Sequence, residues 1–109
     1  MAAAQLDGGG ILMVVEIIRY QLAADLAESF VRAYQEAGVY LDRSPHCLAY
    51  EITQGVEEPN HYIIRIEWDS VEGHMQGFRQ EENFQHFFAL VKPYFSSIQE
   101  MKHYRIIRT

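Results

Sequence analysis

Cysteine and positive charge are both scarce in this chain. Its 109 residues include a single cysteine, Cys47, which excludes an internal disulfide and suits a reducing compartment. We therefore expect a cytoplasmic protein. Nine Lys and Arg stand against fifteen Asp and Glu, a net charge of −6, and the basic residues do not cluster. Nucleic acid and anionic membrane are consequently poor partners, and we expect neither.

Long apolar runs are also missing. The run at residues 11–15 ends at Glu16, whereas a membrane span needs ~20 apolar residues and a signal peptide needs a positive flank. Residues 1–10 end in three glycines and predict a flexible N-terminal extension. Residues 11–109 predict a single domain. No glycine-rich nucleotide motif and no Cys/His cluster with metal-ligand spacing occurs, so we expect no cofactor and no metal.

Hydrophobic periodicity predicts four strands and two helices. Short segments rich in β-branched residues predict strands at 12–20, 46–54, 61–69 and 100–108. The first helix begins near Ala23 and is expected to end at Gly38, followed by a loop over 39–45. The second helical region is capped by Ser70, broken at residues 80–83 and ended by Pro93. The order β-α-β-β-α-β predicts an α+β, ferredoxin-like fold with an antiparallel sheet.

Side chains alternate between the two faces of each strand. The face expected to pack against the helices carries Val15 and Ile17 in the first strand, and Tyr104 and Ile106 in the last. The other face is expected to carry aliphatic residues together with Glu16, Glu51, Arg65, Glu67, His103 and Arg105. This second face is either solvated and laced with ion pairs, or pressed against a partner's sheet around a small lumen. Its aliphatic content favours the partner, so we expect a homodimer.

One segment has the character of a family signature. Residues 66–74, IEWDSVEGH, place a Trp at the end of the third strand, then a Ser cap and a helical His. Phe84, Phe88 and the run Pro93-Tyr94-Phe95 follow before the closing strand. Over about residues 12–107 this pattern resembles the antibiotic biosynthesis monooxygenase family of dimeric α/β-barrels. The resemblance implies a ferredoxin-like protomer whose sheet pairs with a second copy. For active members it also implies cofactor-free oxygenation of small phenols, quinols or anthrones by O₂.

The resemblance suggests candidate catalytic residues. Trp68 lines the pocket in the family, although a Trp at that junction also suits a plain core position. His74 takes the place of a Tyr that some family oxygenases carry. A neutral imidazole there can accept a phenolic proton; the alternative is a core-edge histidine bonded to a backbone carbonyl. Arg79, which could substitute spatially for an Arg that some members carry late in the second helix, or else Arg65, is the candidate that stabilises the resulting anion.

Two departures weaken the oxygenase interpretation. Quinone-forming members carry an Asn where this chain has Ile64, and some members carry an Arg where it has Phe88. Haem-degrading relatives place a proximal His four residues after a helical Phe, yet Phe84 is followed there by Phe88. His86 lies roughly 200° round the helix from that face. A non-catalytic ligand-binding or stress-response dimer is therefore the alternative, with haem binding or degradation a weaker one.

The expected substrate contacts all lie in the second half of the chain. The set comprises Ile64, Arg65, Phe78, Phe88, Tyr94 and His103. His103 and Arg105, which share the charged face with Arg65, are expected either to form the polar wall of a cavity or to pair at the dimer interface and set its register. Tyr94 is expected to close the open end of the core beside the pocket. No metal site is expected from the five scattered histidines, although Glu82 and His86 have i,i+4 spacing.

Overall fold

A computed structural model describes residues 13–108. The predicted extension at 1–10 and the predicted start of the first strand at Leu12 lie outside them. The strands are β1 (Val14–Gln21), β2 (Cys47–Gln54), β3 (His61–Trp68) and β4 (Ile98–Arg105), and the α-helices are α1 (Ala27–Asp42) and α2 (Glu82–Val91). Short helical turns occur at Ala24–Leu26, Gly73–Gly77, Phe78–Gln80 and Lys92–Ser97. The predicted element order is confirmed, and the chain has an α+β, ferredoxin-like fold.

The four strands form one antiparallel sheet in the order β2-β3-β1-β4. Both helices cover the same face, because α1 and α2 bury aromatic side chains against each other and against the sheet. Phe30 of α1 packs on Tyr20 and Tyr62 of the sheet, and Tyr34 of α1 packs on Phe87 of α2. The core therefore lies between the helix layer and one face of the sheet. No helix within residues 13–108 is long and apolar enough to cross a membrane.

The predicted faces of β1 and β4 are wrong by one residue. Glu16 lies opposite Ile66 of β3 and His103 of β4, and directly paired residues share a face. Glu16 and His103 therefore point toward the helices, and Val15, Ile17 and Tyr104 point away. The error has a physical cause, since β1 is apolar on both faces and its alternation does not distinguish them. Pairing with β3 and β4 decides the matter.

The predicted end of the first helix is also wrong. α1 continues through Gly38 to Asp42, and Leu41 in the last turn is almost fully buried. Gly38 is needed for close approach, because a Cβ atom there would meet the hydroxyl of Tyr50 on β2. That hydroxyl donates a hydrogen bond to Asp42 at the end of the same helix. The expected loop over 39–45 is correspondingly shorter.

The second helical region behaves as predicted at its start, its break and its end. Ser70 Oγ accepts a hydrogen bond from the Gly73 amide at 2.8 Å. The chain then forms a π-helix at Gly73–Gly77, which we call the π-turn, and a 3₁₀ turn at Phe78–Gln80. Glu81 has extended backbone angles and separates this segment from α2, which ends at Val91 before Pro93.

Candidate active site

An apolar cavity of about 120 Å³ lies between the sheet and the helix layer. Its walls come from all the core elements except β2 and are formed by Glu16, Ile18, Tyr34, Ile66, Trp68, His74, Phe78, Arg79, Phe84, Phe87, Phe88, Phe95 and Met101. Most of these are aromatic rings or aliphatic side chains. The polar groups are few and face one part of the space, as is usual for a site that binds a small, flat organic ligand.

Trp68 and His74 form the wall where β3 ends. Trp68 is the last residue of β3 and is completely buried. The π-turn lays the His74 imidazole flat on the indole, with ring centroids 4.3 Å apart and planes 8° apart. Phe78 also packs on the indole, with the two ring centroids 5.0 Å apart. The predicted placement of Trp68, His74 and Phe78 on one apolar wall therefore matches the structure.

Glu16 is the residue that the sequence reasoning missed at this site. Its side chain lines the cavity although the residue is only 4% exposed. Its Oε1 accepts a hydrogen bond from Trp68 Nε1 at 3.1 Å. Burial raises the pKa of the Glu16 carboxyl to about 7, against the opposing effects of the Trp68 bond and the Arg79 charge. The available signal was one acidic residue inside an otherwise apolar strand, VVEII.

His74 and His103 form a second buried polar contact. Nδ1 of His74 lies 2.7 Å from Nε2 of His103, so one nitrogen donates and the other accepts. Burial, together with the charges of Arg79 and His103, lowers the pKa of His74 to about 3. Burial also lowers the pKa of His103, again with Arg79. Both imidazoles are therefore neutral at pH 7. Nε2 of His74 lies 3.6 Å from Glu16 Oε1, which is too long for a hydrogen bond in this state.

Arg79 brings the cationic group of the cavity. It lies in the 3₁₀ turn after the π-turn, and its guanidinium stands 5.1 Å from the centre of the Phe84 ring. A guanidinium over an aromatic face is held by a cation–π interaction and keeps its hydrogen-bond donors free for other partners. Among the three predicted catalytic residues, Arg79 is thus the only one that is positively charged at pH 7.

The expected substrate contacts are only partly brought together. Phe78 and Phe88 line the cavity, and His103 reaches it through His74. Ile64 is buried in the core but lies outside the cavity walls. Tyr94 also lies outside them, because its hydroxyl donates to Ser29 Oγ at 2.9 Å and its ring packs on Phe30. Arg65 lies on the opposite face of the sheet and pairs with Glu67 at 2.8 Å.

His86, two residues before the position at which haem-degrading relatives carry their iron ligand, does not line the cavity. His86 is about half exposed, stacks on Tyr40 and lies 3.5 Å from Glu82. Phe88 occupies the cavity wall instead. Among residues 13–108, no group of three or more His, Cys, Asp or Glu side chains is arranged to hold a metal ion.

Comparison with known proteins points to one family. Residues 13–90 match the family model of the antibiotic biosynthesis monooxygenases. The uncharacterised protein YczJ of Bacillus subtilis strain 168 is 23% identical over 93 residues, which cover 85% of this chain and 98% of YczJ.

Solved structures with the same fold include two with high structural similarity. A candidate antibiotic biosynthesis monooxygenase from Bordetella bronchiseptica has a TM-score of 0.72 at 22% identity, covering 90% of this chain and 98% of that one. A conserved protein of unknown function from Bacteroides thetaiotaomicron has a TM-score of 0.73 at 13% identity, covering 89% and 100%. At these identities the likeness shows the fold.

Proposed function

Because this chain belongs to the antibiotic biosynthesis monooxygenase family, we propose that it is a cofactor-independent monooxygenase that oxidises a small phenol, quinol or anthrone with O₂. The observation that carries the proposal is the aromatic-walled cavity lined by a buried carboxyl, one neutral imidazole and one guanidinium, with a second imidazole bonded behind the first. The rings suit a flat apolar substrate, and the polar groups suit a hydroxyl that must lose a proton.

The cavity volume favours a substrate with one ring. A protein cavity of roughly 150 Å³ lined by apolar side chains binds benzene, and this one measures about 120 Å³. Phe84 and Phe88 are half-buried and stack on each other at 5.5 Å. A naphthol or anthrone therefore requires a larger displacement of these two rings than a phenol or hydroquinone does.

The substrate itself supplies the electrons for this chemistry. Once deprotonated, an electron-rich phenolate ring reduces O₂, and a new C–O bond forms at a ring carbon. One oxygen atom stays on the ring and the other leaves as water, so a phenol and O₂ give a quinone and H₂O. In this scheme Trp68 and Phe78 hold the ring, Arg79 stabilises the phenolate, and neutral His74 orients the hydroxyl.

We further propose that two copies pair through the open face of the sheet. The middle of that face carries Ile17 and Ile63, which are half-buried and not covered by the helices, beside Val15, which is already buried. Glu51 and Arg65 lie beside them in register, and Arg65 also pairs with Glu67. An aliphatic centre with charged neighbours is typical of a surface that another protein covers.

Oxygen uptake tests the proposed oxygenation. Dialysed, metal-stripped protein is supplied with phenols, hydroquinones, naphthalenediols and anthrones, and O₂ consumption is followed with and without a chelator. Catalysed uptake that is insensitive to the chelator is the expected result. No uptake above the spontaneous rate with any compound would overturn the proposal. A thermal shift by phenols without uptake would instead support the non-catalytic binding dimer, and a Soret shift on haem titration would support a haem protein.

A further inference from the structure

We propose that Glu16 is the catalytic base of this site, and that His74 and His103 connect its carboxyl group to solvent. The inference rests on the proposed oxygenation, and it assigns the proton acceptor of that reaction to a residue outside the family signature at residues 66–74. It also changes the role of His74 from proton acceptor to link in a chain.

Position singles out Glu16 among the acidic residues. It is the one carboxyl group among the described residues that line the cavity, and it is 4% exposed. One carboxylate oxygen is held by the Trp68 indole N–H at 3.1 Å. A carboxyl group fixed by one hydrogen bond, in a water-poor cavity sized for a single ring, leaves its other oxygen available to a ligand hydroxyl.

Groups from several elements face the carboxyl and set its charge. They are Tyr20 on the same strand, Tyr34 on α1, Trp68 on β3, His103 on β4, His74 in the π-turn and Arg79 in the following 3₁₀ turn. The hydroxyls of Tyr20 and Tyr34 bond to each other at 2.6 Å, and burial raises the pKa of Tyr20 to about 12, so both stay neutral. Arg79 is then the cationic group among these neighbours, and its charge lowers the pKa of the Glu16 carboxyl.

The proton chain follows from the two tautomers of His74. With Glu16 ionised, His74 carries its proton on Nε2, which faces the carboxylate, and Nδ1 accepts from Nε2–H of His103. With Glu16 protonated, the opposite tautomer lets Nε2 of His74 accept from the carboxyl while Nδ1 donates to His103. His103 is partly exposed and exchanges its proton with water. Oε1, the oxygen that lies 3.6 Å from Nε2 of His74, is not the one that takes the substrate proton. Relay to His74 therefore requires the protonated carboxyl to turn toward the imidazole and the gap to shorten, as catalytic contacts commonly do when substrate binds.

The proton passes from the substrate hydroxyl to Glu16 inside the cavity. The O–H bond of the substrate breaks, its electron pair stays on the phenolate oxygen, and an O–H bond forms on Glu16. After O₂ adds to the ring, the same carboxyl can return this proton to the departing water. A pKa near 7 makes Glu16 well matched to both directions at neutral pH, whereas the low pKa of His74 makes that imidazole a weak acceptor.

An anaerobic experiment tests proton acceptance without requiring oxygenation. The probe is 3-nitrophenol, whose phenolate absorbs in the visible range, added at a pH just above 7, at which Glu16 is ionised and most of the free compound is still the neutral phenol. We expect binding to wild type to produce phenolate absorbance, because Glu16 accepts the proton of the bound phenol. Glu16→Gln is expected to lose that absorbance, and Glu57→Gln, an exposed control, to keep it. Equal spectra for wild type and Glu16→Gln would overturn the proposal.

Kinetics test the same assignment in the working enzyme. We expect kcat/KM of wild type to rise with pH through an apparent pKa near 7, and Glu16→Gln to lose this limb together with about 100-fold or more of the rate. An unchanged limb in Glu16→Gln would overturn the assignment. If wild type takes up no oxygen at all, the oxygenation proposal fails by itself, and the 3-nitrophenol spectra still decide whether Glu16 accepts a proton.

The solvent end of the chain has its own test. His103→Ala removes the partly exposed imidazole, and we expect a slower turnover that added imidazole restores. His86→Ala is the matched control, since His86 is exposed and lies away from the cavity. His103→Gln retains a hydrogen-bond donor and acceptor for His74 and so checks folding. Unchanged turnover in His103→Ala, or a loss that imidazole does not restore, would overturn the link to solvent.

Discussion

The Trp68 indole donates its N–H to Glu16 Oε1 at 3.1 Å, and both side chains are buried. This single bond joins the last residue of β3 to the middle residue of the β1 run VVEII. It gives a carboxyl group inside an apolar core one of its few polar partners. The indole therefore has two functions here: it forms the wall on which His74 stacks, and it stabilises the ionised form of Glu16.

Removing that donor should destabilise the protein in a pH-dependent manner. Trp68→Phe leaves the carboxylate without its bond, and we expect a loss of about 2 kcal/mol or more in the free energy of unfolding at pH 8. The loss should be smaller at pH 5, where Glu16 is protonated and the bond is weaker. Urea unfolding at the two pH values measures both. Equal losses at the two pH values would contradict a stronger bond to the ionised carboxylate.

Glu16 itself should make stability fall as the pH rises. Its pKa in the folded protein is about 7, against 4.5 for the free side chain. The folded state therefore binds the proton more tightly, and the resulting stability is complete below about pH 4.5 and is lost as the pH rises through 7. Relative to Glu16→Gln, wild type should lose roughly 3 kcal/mol over this window. Parallel pH profiles of unfolding free energy for wild type and the variant would contradict the prediction.

His74 should have the opposite dependence. Its pKa is about 3 in the folded protein and 6.5 in the free side chain, so the unfolded chain binds the proton more tightly. The free energy of unfolding is therefore unaffected by His74 above pH 6.5, where the imidazole is neutral in both states. It falls as the pH drops toward 3, because the unfolded chain takes up the proton first. Compared with His74→Gln, wild type should lose stability on acidification, which denaturant titrations between pH 7 and pH 4 measure. A variant more acid-sensitive than wild type would exclude a neutral buried imidazole.

The preference of the protein for larger or smaller substrates should depend on the side chain at position 88. Phe88 is half-buried at the cavity wall, and its truncation in Phe88→Ala enlarges the space available to a second ring. We expect the ratio of kcat/KM for 1-naphthol over phenol to rise by about tenfold or more, since one fitted apolar group changes discrimination by that order. Tyr94→Phe, outside the cavity, is the control. If neither compound is turned over, the ratio of their dissociation constants provides the same comparison.

The proposed dimer should depend on the centre of the open sheet face. Ile17→Asp introduces a charge between two sheets, and we expect the dissociation constant to rise on the order of 100-fold or more. Val56→Asp makes the same kind of change on a fully exposed loop residue and should leave association unchanged. Sedimentation equilibrium separates the outcomes. A wild-type protein that stays monomeric at high concentration would contradict the pairing of two copies.

Local patterns in the sequence accounted for much of the fold and for part of the site. The order of strands and helices, the Ser70 cap, and the break before α2 each follow from residues close together in the chain. The aromatic wall formed by Trp68, His74 and Phe78 was predictable for the same reason, because a strand end and the next helical turn place them together.

Tertiary structure alone decided the polar half of the site. β1 reads Val-Val-Glu-Ile-Ile, with aliphatic side chains on both faces, so alternation by itself does not say which way Glu16 points. Its direction is set by pairing with Ile66 on one side and His103 on the other, across distances of fifty or more residues. The helix continuing past Gly38 likewise depends on Tyr50 of a different strand. The sequence by itself determined the elements and their order, through short-range periodicity and capping. Strand register and packing, which depend on contacts between distant segments, decided which face of each element became the site.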